Sequence, residues 1–188
     1  GIASEGKIYV SDRGNNRIQV FNPQGGFLLT WGVRGSGDGE FSWPQGLGID
    51  NEGNVYVSDQ GNDRIQVFDS QGRFLRKWGV TGSGDGEFSW PQGLGIDSEG
   101  KIYVSDRGNN RIQVFDPQGG FLLQWGATGS ADGEFRWPQG LGIDNKGNVY
   151  VSDQGNDRLQ VFDSQGRFLR KWGVTGRGDG EVSWPQSL

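Results

Sequence analysis

Four aspartates and four arginines have the types and spacing to do chemistry. Asp12, Asp59, Asp106 and Asp153 each stand a few residues ahead of an arginine, respectively Arg17, Arg64, Arg111 and Arg158. A carboxylate that close to a guanidinium across a turn can serve as an acid–base or ligand-binding group. It can equally be an ion pair that fixes a hairpin. The residues between the partners read Arg-Gly-Asn-Asn in the first and third cases and Gln-Gly-Asn-Asp in the second and fourth. A tight Gly-Asn turn and fourfold recurrence favour the structural reading, four hairpin pairs.

Other carboxylates recur in the same way. Asp38-Gly39-Glu40 has copies at Asp85, Asp132 and Asp179, each with its glutamate partner. Calcium would need more oxygen ligands at a different spacing, so a polar turn docking onto the next structural unit is expected. Asp50, Asp97 and Asp144 form a third set, which Ala3 breaks. Arg177-Gly178-Asp179 spells an integrin-recognition tripeptide. Its sister sequences read Ser-Gly-Asp and Ser-Ala-Asp, which marks a chance match. With neither His nor Cys in the chain, zinc, copper and haem sites and most nucleophile–base pairs have no ligands to draw on. No catalytic residue, metal site or cofactor is expected.

These recurrences are parts of one repeat. GKIYVSDRGNNRIQVF around Asp12 returns around Asp59, Asp106 and Asp153, with a step of 47 residues (59 − 12, 106 − 59, 153 − 106), and 4 × 47 fills the 188 residues. Units 1–47 and 95–141 differ at seven positions, and units 48–94 and 142–188 at five. A doublet of 94 residues is therefore the copied element, and its mild, scattered differences suit an amplified natural segment, with engineered ends also compatible. A period of this size marks a propeller, solenoid or array.

Within the second unit, Leu47–Asp50 is a short apolar segment, and Asn54–Asp59 is β-branched and aromatic. Arg64–Phe68 alternates Ile65 and Val67 against Gln66 and Phe68, and Phe74–Trp78 closes the unit. Turns rich in Gly, Asn and Asp separate these segments, and no helical period is present. Each unit is expected to form one antiparallel four-stranded sheet. Such a sheet cannot bury both faces alone, and radial stacking gives an all-β propeller with blades at about 1–47, 48–94, 95–141 and 142–188. The chain is only 32% hydrophobic, but eight Trp and eleven Phe supply bulk. Trp31, Trp78, Trp125 and Trp172, and also Trp43, Trp90, Trp137 and Trp184, are expected to fill the seams between blades. No run of apolar residues approaches the ~20 of a membrane helix, and none reads as a signal peptide.

The pattern V-S-D-x-G-N-x-R-[IL]-Q-V-F, followed by Phe-Leu-x-x-Trp-Gly and G-x-[GA]-D-G-E-[FV]-x-W-P-Q, resembles the NHL repeat, a propeller family, over the whole chain. WD40 repeats would require Gly-His and Trp-Asp pairs, which are absent. The resemblance implies a non-enzymatic platform for protein or peptide binding. It also allows RNA binding or, by analogy with some six-bladed relatives, a calcium- or carboxylate-dependent enzyme. A net charge of −5 opposes a nucleic-acid surface. On the face shared by the second-to-third turns and the inter-blade loops, Arg13 and Arg107 alternate with Gln60 and Gln154, and Asn16 and Asn110 with Asp63 and Asp157. These eight residues are the candidate binding face, and the same alternation equally fits charge compensation between neighbouring blades. Many family members have six blades. Four copies per chain, with ends that together rebuild the Trp-Pro-Gln-Gly-Leu-Gly-Ile-Asp junction except at Ala3 and Ser187, leave two closures, four blades shut on themselves or two chains forming eight, and a dimer closing an eight-bladed ring is the favoured expectation. The cut is expected just ahead of the first strand of each blade.

Overall fold

A computed structural model describes residues 1–3 and 5–187. Its strands form four antiparallel sheets, each following sequence order. The first sheet contains β1 (Ile8–Asp12), β2 (Arg17–Phe21) and β3 (Phe27–Trp31). The second contains β4 (Pro44–Ile49), β5 (Val55–Asp59), β6 (Arg64–Phe68) and β7 (Phe74–Trp78). The third contains β8 (Pro91–Ile96), β9 (Ile102–Asp106), β10 (Arg111–Phe115) and β11 (Phe121–Trp125). The fourth contains β12 (Pro138–Ile143), β13 (Val149–Asp153), β14 (Arg158–Phe162) and β15 (Phe168–Trp172). This is the all-β propeller architecture that the repeat implies.

The central hairpin of each blade follows from its turn. Between β5 and β6 a 3₁₀ turn, Gln60–Asn62, ends at Asp63, whose φ of 50° is left-handed. Asn16, Asn110 and Asp157 take the same conformation in the other blades. Asn and Asp tolerate it better than other side-chain-bearing residues do. The turn sets the register Asp59↔Arg64 through Val55↔Phe68, and the period-two alternation then sorts side chains between the faces. Val55, Val57 and Phe68 meet Tyr9, Ile18, Val20 and Phe41 of the preceding blade. Tyr56, Ile65 and Val67 face Ile102, Val104 and Phe115 of the following one. Tyr103, Ile112 and Val114 meet Val149, Val151 and Phe162 at the third seam.

The inner strands differ from expectation in their starting point. Each begins at the proline of Trp-Pro-Gln, so β4 runs across the junction between residues 47 and 48 rather than starting after it. In the first sheet only Gly1–Ala3 occupies that position. Gly1 N–H and C=O both bond Tyr9, and Ala3 N–H donates to Lys7 C=O. Leu188 lies outside the described residues.

The outer edge of each seam is closed by an indole. Trp31 packs on Tyr9 and Phe68, with centroids at 6.3 and 5.7 Å, and lies against Gly72 in the β6–β7 turn. A Cβ at Gly72 would sit 2.7 Å from the indole, and its φ is +78°. Gly72→Ala combines a steric clash with left-handed strain. It should lower unfolding stability by about 2–4 kcal/mol, read as a reduced urea midpoint. An unchanged midpoint would show that this contact does not constrain the blade.

Candidate binding face and its supporting ion-pair hubs

Each Asp–Arg pair is the centre of a larger hub. Asp59 is fully buried. Its Oδ2 accepts from Arg64 Nε (2.8 Å), Asn62 Nδ2 (2.8 Å) and Gln66 Nε2 (3.1 Å). Its Oδ1 accepts from Ser42 N–H (2.7 Å), at the end of the loop leaving the preceding blade. Arg64 directs its remaining donors into that loop, to Ser36, Gly37 and Glu40 C=O at 2.7, 2.8 and 2.9 Å. Gln66 grips the loop from both sides, donating to Glu40 C=O and accepting from Gly39 N–H. Thus the Asp-Gly-Glu turn docks onto the next blade, and Lys77 pairs with Asp38 from outside. Asp106–Arg111 and Asp153–Arg158 repeat this geometry with Nε–Oδ2 distances of 2.7 Å. The local pattern disclosed the hairpin pair. The grip on the preceding loop was hidden because that loop lies about one half-repeat upstream.

The first blade carries the same hub without a loop above it. Arg17 Nε meets Asp12 Oδ2 at 2.7 Å, but Arg17 is 39% exposed, against 7% for Arg64. Hydrogen bonds from Asn15 and Arg17 hold the Asp12 carboxyl below its ordinary range. Burial pushes Asp106 the other way, against Ser89 N–H, Asn109 and Arg111.

Six of the eight candidate binding-face residues are taken up by bonds within the fold. Asn16 Oδ1 accepts from Trp43 N–H at 2.9 Å, and Asp63, Asn110 and Asp157 hold Trp90, Trp137 and Trp184 at 2.8 Å. Asp63 also accepts from Thr81 Oγ1. The Trp N–H donors arise because these tryptophans have φ between 52° and 56°, which turns their backbone toward the preceding blade. The turn also sends the indoles outward. Trp43, Trp90, Trp137 and Trp184 are surface residues, 41–58% exposed, and do not fill seams as Trp31, Trp78 and Trp125 do. Gln60 and Gln154 are buried and accept from Gln45 and Gln139.

Arg13 and Arg107 remain directed at the axis. They line a cavity of about 340 Å³ with Gln45, Gln92, Gln139 and Trp90. The sequence reading had not singled out this row of inner-strand glutamines. Its only signal was the fourfold Trp-Pro-Gln. Asp50, Asp97 and Asp144 lie at the opposite edge, and each caps its own turn. Asp50 Oδ1 accepts from Glu52 and Asn54 N–H at 2.9 and 2.8 Å. The Asn148 amide and neighbouring N–H groups bring Asp144 down to about 2. Among the described residues no three carboxylates converge on a possible metal position.

Removing one partner of a buried pair strands the other. Asp106→Asn should cost about 3–5 kcal/mol, and a paired Asp106→Leu, Arg111→Met replacement should cost more, because Ser89 N–H and the loop carbonyls then lose their partners as well. Urea unfolding of both variants checks the order. A single variant as stable as the parent would show that the hub does not hold the loop.

The NHL repeat family matches residues 88–115 and 135–162, and a family described as 6-bladed beta-propeller matches 2–65 and 51–101. No curated protein matches the chain. Among solved structures, virginiamycin B lyase from Staphylococcus aureus superposes with a TM-score of 0.74 at 14% identity, over 100% of this chain and 57% of the lyase. Its catalytically inactive histidine-to-alanine variant with quinupristin gives 0.73 at 15%, over 100% and 57%. Kuenenia stuttgartiensis hydrazine synthase gives 0.65 at 18%, over 90% and 47%. The chain thus spans about half the length of these neighbours, and at such identities the likeness concerns the fold. With that repeated four-stranded blade, the chain belongs to the family described as 6-bladed beta-propeller, and it carries two matches to the NHL repeat.

Proposed function

We propose that the chain is a non-catalytic binding platform that completes an eight-bladed ring with a second copy of itself. The observation that carries this reading is an unmatched pair of faces. Val57, Val104 and Val151 are fully buried against the preceding blade, but their counterpart Val10 is 40% exposed, with Ile2 and Phe27 exposed beside it. At the other end Trp172 is 43% exposed, and Tyr150 and Leu159 are only partly covered. The two open faces carry the same residue types that pack together at the three internal seams. An apolar area of this kind favours a partner over water.

Polar groups match as well. The loop Arg177–Glu181 is already folded like its sisters, with Gly178 N–H on the Glu181 carboxylate at 2.7 Å. It could offer Arg17 of a second copy the carbonyls that Arg64 takes from Ser36, Gly37 and Glu40. Pro185 and Gln186 could supply the part of the first sheet's inner strand that corresponds to Pro44 and Gln45. Two such contacts related by a two-fold axis close the ring.

The reading as a non-enzyme rests on the commitment of the hub carboxylates and on residue content. The variant of the lyase described as catalytically inactive lacks a histidine, and this chain has none. The separation of Asp50, Asp97 and Asp144 disfavours a carboxylate- or calcium-dependent enzyme, and the net charge of −5 disfavours RNA.

Light scattering coupled to size exclusion should give about 41 kDa (2 × 20.6). Val10→Arg, at a position already exposed, should return a folded species near 20.6 kDa. A parent mass of 20.6 kDa, or an assembly that Val10→Arg leaves intact, would overturn the ring. Quinupristin incubated with the protein should remain unchanged by mass spectrometry, and its conversion would overturn the non-catalytic reading.

A further inference from the structure

One group at the mouth of the axial cleft has no task in the fold. Arg13 and Arg107 occupy the position held by Gln60 and Gln154 in the even blades. The glutamines are satisfied by Gln45 and Gln139, at 3.2 and 2.9 Å. Arg107 has no such amide bond, and its Nε is buried without a hydrogen-bond partner. Its guanidinium carbon lies 5.9 Å from the Trp90 centroid and 5.5 Å from that of Trp137. Arg13 lies 5.6 Å from Trp43. Aromatic contacts hold a guanidinium in place without engaging its N–H donors. Among the described residues Arg107 forms no ion pair, and the carboxylates of the neighbouring turns, Asp63 and Asp157, are directed instead to Trp90 and Trp184 N–H and to the Thr81 and Thr175 hydroxyls. Burial lowers the pKa of Arg107, as expected of a cation held out of water without a counter-ion.

We infer that this mouth is a recognition site for an acidic peptide, with a side-chain carboxylate received by Arg107 and flanking backbone held by the row of axial glutamines. Three features select this ligand. An arginine fork with open donors matches a carboxylate in two parallel hydrogen bonds. Gln45, Gln92 and Gln139 line the same cavity, and each amide offers both a donor and an acceptor, as a peptide bond requires. A free phosphate would call for donors alone. The exposed indoles of Trp43, Trp90 and Trp137 border the mouth with apolar area. Their left-handed backbone is held in every unit by an Asn or Asp, and strain of this kind concentrates at functional surfaces. The inference deepens the platform reading and rests on it, but not on ring closure.

The experiment screens a randomised fluorescein-labelled hexapeptide library on beads against the parent protein and against Arg107→Gln and Arg13→Gln. Each variant places in an odd blade the residue that the even blades already carry, so fold and mass should be retained, as checked by circular dichroism and light scattering. The parent should enrich peptides containing Asp or Glu. The best of them should bind at least tenfold more weakly when its acidic residues become Asn or Gln, and at least tenfold more weakly to Arg107→Gln. Absence of acidic enrichment, or equal binding by folded Arg107→Gln, would overturn the site. So would displacement of the peptide by inorganic phosphate or an oligouridylate RNA at lower concentration than the peptide itself requires. A mass of 20.6 kDa with Arg107-dependent peptide binding would reject the ring and keep this site. A mass of 41 kDa without such binding would do the reverse.

Discussion

The propeller depends on a buried carboxylate that serves two blades at once. Asp59, like Asp106 and Asp153, receives its own arginine on one oxygen and the backbone N–H leaving the preceding blade on the other. A buried ion pair by itself gives little net stability, because desolvation offsets the attraction. Here the arginine also directs both Nη groups onto carbonyls of the preceding loop, so the geometry of the pair is fixed. The hub therefore specifies where one blade stands relative to the next. The apolar seam follows from that placement, because Phe41 and Phe88 at the loop ends are carried into the interface, 5.5 Å from Phe68 and Phe115.

The same constraint explains why the chain carries so much glycine. Blades that converge on an axis bring their inner strands together. At Gly46 a Cβ would stand 2.2 Å from Gln92 C=O, and at Gly93 the same distance from Gln139 C=O. Ser58 and Ser105 bridge these strands through short hydrogen bonds to the same carbonyls. Close approach at the axis and bulky aromatics at the periphery are two sides of one wedge-shaped packing problem. The small residue lies where blades converge, and Trp31, Trp78 and Trp125 lie where they diverge.

Repetition also gives the ends of the arc their character. Blade faces are interchangeable in residue type, so an uncovered face keeps the chemistry of a covered one. The contrast between Arg17 and Arg64 shows the effect on a single group. The same Asp–Arg pair is open to solvent in the first blade and buried in the second. The neighbouring blade, and not the pair's own sequence, sets its environment.

Much of the fold was legible because the relevant physics is local. Period-two alternation in Val55–Asp59 and Arg64–Phe68 fixed the strands, Gly-Asn followed by Asn or Asp fixed the turn, and a constant period of 47 fixed the stacking of like units. The sequence also identified Asp12–Arg17 and its copies as pairs across a hairpin. It could not show that Asp63 and Asn110 would hold the next Trp-Pro junction, that Trp43 and its copies would face solvent, or that inner strands would begin at proline. Those outcomes depend on residues 27 positions apart meeting across a seam, a distance that no local propensity encodes. Residue types and their spacing determined the blade. Only the packing of one blade on the next decided which polar groups are consumed between blades, and which, like the buried Nε of Arg107, are left without a partner.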